Sequence, residues 1–184
     1  MNTIRFSELN CDGCPARPLL DITRSRAIEA MRIHELKRLN ERPRTLLLCE
    51  SAPVDRFVYD ITSNYDHNGL RFNLREELTQ DKTDESLFKI LKSQRLWIVD
   101  GALCPLHKGR LLTNSQRRKA ATLCIERHTH SYLDAFPEAK LYTAFPKNCG
   151  FLKRQLPHLA NRVAHAFGFN VVGLKKQLET DHNT

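Results

Sequence analysis

The chain has no apolar stretch of roughly 18 residues, the length a membrane-crossing helix needs. The longest uncharged run in its C-terminal half, Val163 to Leu174, has 12 residues and includes His165 and Asn170. A membrane span is not expected. Its first ten residues carry Arg5 and Glu8 and lack the apolar core of a secretory signal, which predicts a cytoplasmic chain. Glycine is scarce: the seven present form neither G-x-G-x-x-G nor a P-loop, so the turn that cradles phosphates is missing. Dinucleotide and NTPase chemistry, and a nucleotide cofactor, are therefore not expected. Internal repeats and low-complexity tracts are also absent, which argues against solenoids and extended linkers.

What the chain has in excess is positive charge. Its 184 residues carry a net +8, with a pI near 9.4, and such a balance points to an acidic partner, most commonly nucleic acid. Hydrophobic residues at 41% and charged residues at 27% are enough for a folded core. The length suits one domain spanning residues 1–184.

Three short apolar runs read as strands buried on both faces: Leu46 to Leu48, Leu96 to Val99 and Leu141 to Phe145. Phe169 to Val172 is a fourth candidate. Helical spacing fills residues 21 to 40, Asp84 to Leu91, a segment from Asn114 or Ser115 through Ile125, and Phe151 to Phe167, the last perturbed by Pro157. Short strands alternating with helices predict an α/β fold in three layers, α/β/α, around a mostly parallel four-stranded sheet.

In such sheets ligands bind beyond the carboxyl ends of the strands. Glu50 directly follows the first apolar run and Asp100 the second, so both acids are expected to approach that crevice; the plainer reading is that each tightens a turn. Cys11 and Cys14 form a C-x-x-C pair ahead of every predicted element, which fits a metal site better than a redox motif. Two further ligands would have to come from Cys49, Cys104, Cys124 and Cys149. Buried thiols with no metal role are the plain alternative. His128 and His130 lack convincing co-ligands and read as surface residues.

The order of these residues resembles the iron–sulfur branch of the uracil-DNA glycosylase superfamily. That order is an N-terminal C-x-x-C, a strand ending in an acid and a proline, a Cys-Pro just after a later strand, and a cysteine on the following helix. Leu47-Leu48-Cys49-Glu50-Ser51-Ala52-Pro53 is similar to the family's Gly-Glu-Ala-Pro-Gly turn, with the acid and proline kept and both glycines lost. Trp97 to Cys104 is similar to its Thr-Asn-Val-Val-Lys-Cys, with Asp100 in the place of the asparagine. Pro137 to Phe145 resembles its third core strand. The family's His-Pro-Ser motif has no clear counterpart, Phe145-Pro146-Lys147-Asn148 being the nearest.

The resemblance implies that Cys11, Cys14, Cys104 and Cys124 hold a [4Fe–4S] cluster, with zinc as the alternative. It implies a monomeric DNA glycosylase that flips out a nucleotide and hydrolyses its N-glycosidic bond. Glu50 or Asp55 would orient water or face the sugar cation, and Lys147 and Asn148 would donate to the departing base. Phe57, Tyr59 and Phe72 are platform candidates, though aromatics of this kind are as often core. Phosphate contacts would come from Arg24, Arg26, Arg32, Lys37 and Arg38, and from Lys108, Arg110, Arg117, Arg118 and Lys119. Asp100, if ionised at the base-reading place, accepts only, and so favours the exocyclic amine of a cytosine. The expected substrate is then a modified cytosine in foreign, phage DNA, as an antiviral defence. Uracil repair, through a protonated Asp100, and a non-catalytic metal-stapled nucleic-acid-binding module are the alternatives.

Overall fold

The computed structural model describes residues 10–19, 42–51, 58–59, 69–106, 111–144, 153–154 and 156–182. The expected helix over residues 21 to 40 lies outside them. Four parallel strands, β1 (Thr45–Ser51), β2 (Leu96–Ala102), β3 (Lys140–Thr143) and β4 (Val163–Ala166), form one sheet in the order β2-β1-β3-β4. The helices are α1 (Leu70–Leu78), α2 (Asp84–Ser93), α3 (Asn114–Cys124), α4 (His130–Asp134), α5 (Pro157–Ala160) and α6 (Leu174–His182). A π-helical turn, Ile125–Thr129, joins α3 to α4.

The apolar runs become strands because both faces of the sheet are covered, leaving no side for water. Alternation along the strands divides them between two cores. Leu47, Ile98 and Tyr142 face Leu74 and Leu78 of α1, Leu87 and Leu91 of α2, and Leu174 and Leu178 of α6. Leu46, Leu48, Trp97, Val99 and Leu141 face Ile125, Leu133, Phe136 and Leu159. The result is the expected three-layer α/β/α arrangement, with every described strand pairing parallel.

Local signals fix the helix starts. The Thr83 hydroxyl accepts the Ser86 N–H ahead of α2, whose first turn holds Asp84 and Glu85 where the helix dipole favours acids. Thr113 and Gln116 exchange side-chain and backbone hydrogen bonds at 3.2 and 2.8 Å to make a capping box for α3. Asp84 also bridges to α1, 3.0 Å from the buried Arg71 guanidinium and 3.3 Å from that of Arg75.

The C-terminal third corrects two expectations. The helix predicted over Phe151 to Phe167 is interrupted: Lys153 and Arg154 are helical, Leu156 is not, and a short α5 opens on Pro157 and stops at Ala160. Proline suits a first helical turn but not an interior. The fourth strand is Val163–Ala166, where Tyr142 pairs with His165, rather than Phe169 to Val172. Residues 168–173 instead make a turn in which the Val171 N–H reaches the Gly168 carbonyl at 2.9 Å, with Val171 at φ 50° and Gly173 at φ 87°. Such positive φ values break a strand.

Candidate functional site

Because the sheet is parallel, all four strands end on one edge, and the order reverses between β1 and β3, where such sheets open a crevice. The end of β2 is unusually crowded. A Cβ on Gly101 would stand 2.9 Å from the Cys49 carbonyl oxygen and 3.1 Å from Ile125 Cδ1, so only glycine lets the π-helical turn pack this close. The Thr129 hydroxyl then donates to the Gly101 carbonyl at 2.9 Å. This docking sets the end of α3 over the loop after β2. There the Leu103 N–H points at Cys124 Sγ, 3.3 Å away.

The N-terminal segment completes the arrangement. The Cys14 N–H closes a turn onto the Cys11 carbonyl at 3.1 Å, with Gly13 at φ 68° supplying the left-handed position. Ala16 and Leu19 bury themselves with Ala102, Leu106, Ala120 and Ala121 in a third, smaller core. Cys11, Cys14, Cys104 and Cys124, drawn from three separate stretches of sequence, thereby line one small cavity that is partly open to solvent. His128 borders it.

The donor set behaves as one electrostatic unit. Burial pushes the Cys104 thiol up to about 12, and Cys124, Cys14 and Cys11 each add to the rise. Cys124 also reaches about 12, through burial and the repulsion of Cys14 and Cys11, against the lowering pull of the Leu103 N–H. Cys11 is raised by burial and by Cys14, while Arg17 and Arg127 draw it down. Cys11, Cys104 and Cys124 are thus poorly suited to ionise alone and well suited to a bound cation, which removes thiol protons. The residues present fit an iron–sulfur cluster in chemistry and number. Among the described residues no group of three or more His, Cys, Asp or Glu side chains closes to the geometry of a metal-ion site.

The acids are arranged differently from expectation. Glu50 and Asp100 lie inside β1 and β2, not after them. Asp100 pairs in register with Cys49 and shares the face of Leu47 and Ile98, while alternation turns Glu50 to the opposite face. Burial raises the Asp100 carboxyl to about 7, although part of the residue's surface remains accessible. The buried Cys49 thiol next to it is raised well above its ordinary value, by burial and by Asp100.

Tyr59 is spent on the fold. Its hydroxyl accepts the Ile98 N–H on the edge strand β2 at 2.8 Å and its ring packs on the first core. Phe72, half-buried on α1, lies under the Arg75 guanidinium at 5.4 Å. Asp55, Phe57, Lys147, Asn148 and Cys149 lie outside the described residues, as do Lys108, Arg110 and the basic residues of the 21–40 segment. Arg118 and Lys119 are exposed on α3.

Three residues went unnoticed in the sequence or were misjudged. His128, expected on the surface, is half-buried beside the cysteines, and burial lowers its pKa. Arg127 reaches the Cys11–Cys14 loop. Their signal was spacing: three and four residues after Cys124, they share its side of a helix. Phe169, expected in a strand, is 61% exposed on the turn after β4, at the carboxyl edge of the sheet. No family model matches the chain, and no curated protein or solved structure does.

Proposed function

We propose that this chain is a DNA glycosylase whose four cysteines hold a structural [4Fe–4S] cluster, acting on a modified cytosine in foreign DNA as an antiviral defence. One observation carries the reading: Cys11, Cys14, Cys104 and Cys124 line one cavity, and Cys104 follows Asp100 by four residues at the carboxyl end of a strand in a parallel sheet. Cys11, Cys14, Cys104 and Cys124 would hold the cluster as thiolates, and the same four thiolates would serve a structural zinc ion. Once bound, the cluster supplies cross-linking and charge neutralisation, tying the N-terminal loop to the end of β2 and α3.

The chemistry belongs to the chain's own residues and to water. Cleavage moves the electron pair of the C1′–N bond onto the base as the sugar gains oxocarbenium character. Water adds its oxygen to C1′, and its proton goes to a carboxylate or to the departing base. Asp100, on the face of the first core, reads the edge of the base. Glu50 faces the other way, so water activation from it must come around the end of the sheet; Asp55 is the other candidate. Exposed Arg118 and Lys119, with the net charge of +8, draw phosphates to this side of the molecule.

Uracil excision is the second reading, favoured by the Asp100 carboxyl at about 7. Protonated, it donates to a carbonyl oxygen of uracil; ionised, it accepts from the amine of a cytosine. Duplex and single-stranded oligonucleotides carrying uracil, cytosine or 5-substituted cytosines, incubated with the protein at pH 6 and pH 8 and then treated with alkali, separate the two. Strand breaks confined to modified cytosine support the first reading, and breaks at uracil that fade toward pH 8 support the second. Breaks in no substrate, with DNA binding retained, leave a non-catalytic, metal-stapled binding module.

A further inference from the structure

The π-helical turn after Cys124 presents two side chains to the C-x-x-C loop. Arg127 Nη1 donates to the Asp12 carbonyl at 2.7 Å and to the Asn10 carbonyl at 3.2 Å, with the Asn10 side-chain oxygen at 3.5 Å. His128 Nε2 stands 3.3 Å from the same Asn10 carbonyl. Asn10 in turn accepts the Asp12 N–H on its side-chain oxygen at 3.1 Å. One guanidinium thus gathers the carbonyls on both sides of Cys11.

We propose that Arg127, assisted by His128, is a latch that closes the Cys11–Cys14 loop over the cysteine cavity, making it the positioning residue on which retention of the metal centre depends. This rests on reading the four cysteines as one centre. Among the described residues the loop has no strand or long helix of its own; besides the latch, the packing of Ala16 and Leu19 and an exposed Arg17–Asp12 pair at 3.6 Å help to hold it. A helix turn carrying one ligand, Cys124, therefore also fixes the segment carrying two others. Widened π turns recur at functional sites, and here the widening carries both latch residues to the loop. Arg127 Nη1 directs its N–H groups at both carbonyls, and a guanidinium stays charged at any working pH. The guanidinium also adds positive charge beside ligands that must be thiolates.

The test uses the full chain purified without oxygen, as wild type, Arg127→Lys, Arg127→Gln and His128→Asn. Residues supporting metal ligands typically change metal affinity by 10- to 100-fold. Arg127→Gln is accordingly expected to lose iron to a chelator about tenfold faster than wild type, Arg127→Lys to fall between, and His128→Asn to show the smaller effect. The same proteins stripped of metal are labelled with a maleimide, with far-UV circular dichroism to confirm folding. Opening of the latch exposes the buried Cys104 and the half-buried Cys124, so their labelling accelerates in Arg127→Gln. Iron loss and labelling rates equal to wild type in both Arg127 variants overturn the latch. A wild-type chain that takes up no iron overturns the cluster reading instead, and the labelling rates then decide the latch alone.

Discussion

Asp100 ties protonation to both stability and specificity. Its carboxyl sits at about 7 in the folded chain against 3.8 in its ordinary state, so between those values the native state holds the proton more tightly than the unfolded chain. Stability from this group is full below about pH 4 and declines as pH rises to about 7. Urea unfolding of wild type and Asp100→Asn at pH 5 and pH 8 is expected to show a smaller drop in the variant; equal drops would mean the carboxyl is not desolvated. Gly101 offers a second test at the same scale. Gly101→Ala forces a methyl against the Cys49 carbonyl and Ile125, and should cost about 1–3 kcal/mol while loosening Cys124 from Leu103. A variant melting with wild type, with its cysteines equally protected, would show that the contact yields freely. Part of this was readable from sequence: four cysteines in order, with an acid four positions before one of them. The opposed faces of Glu50 and Asp100 were not, because parity within a strand says nothing across strands until register is known, and register sets Cys49, not Glu50, beside Asp100.

Among the elements, helices α1 and α2 are joined through charge buried under the sheet. Arg71 is 4% exposed and meets Asp84 at the start of α2. Asp84→Ala removes one carboxylate partner from both Arg71 and Arg75, and is expected to lower the urea midpoint by the equivalent of about 1–3 kcal/mol, with an unchanged m-value; an unchanged midpoint would show that the bridge contributes nothing to stability. The turn after β4 makes the complementary case. Asn73 Nδ2 holds the Phe169 carbonyl at 3.0 Å and Glu77 accepts the Gly173 N–H at 2.9 Å, so the turn is fixed while the Phe169 ring stands in solvent. Under the glycosylase reading proposed above, such an exposed ring would serve as the apolar wedge that unstacks a base step. Phe169→Ala should keep the wild-type melting temperature yet lower cleavage of duplex DNA more than of single strands; equal loss on both would remove the wedge. The strand runs Leu46 to Leu48 and Leu96 to Val99 were legible because nothing but double-sided burial explains them. β4 was not, since Val163-Ala164-His165-Ala166 is a half-exposed edge strand with little apolar signal. The more apolar Phe169 to Val172 drew the assignment by hydrophobicity alone, although only Val171 of its two ends and centre plugs the core.

At the scale of the whole molecule, two staples hold the described chain around its sheet. At the far end of sequence, Asp181 of α6 accepts from the Tyr142 hydroxyl and pairs with Lys140 at 2.8 Å, fixing the last helix to β3. At the other, the cysteine cavity joins residues 11 to 14 to the end of β2 and α3, across about ninety residues of intervening chain. A metal centre held there, as proposed, would close this long loop and restrict the unfolded chain, so that its binding would contribute directly to folding. Among the described residues no helix is long and apolar enough to cross a membrane. The most direct measurement is iron content and colour of the anaerobically purified chain, compared with single serine variants of Cys11, Cys14, Cys104, Cys124 and Cys49. The account predicts a brown protein with about four iron atoms per chain, lost in the first four variants and kept in Cys49→Ser. A colourless, iron-free wild type, or iron lost only with Cys49, would contradict it.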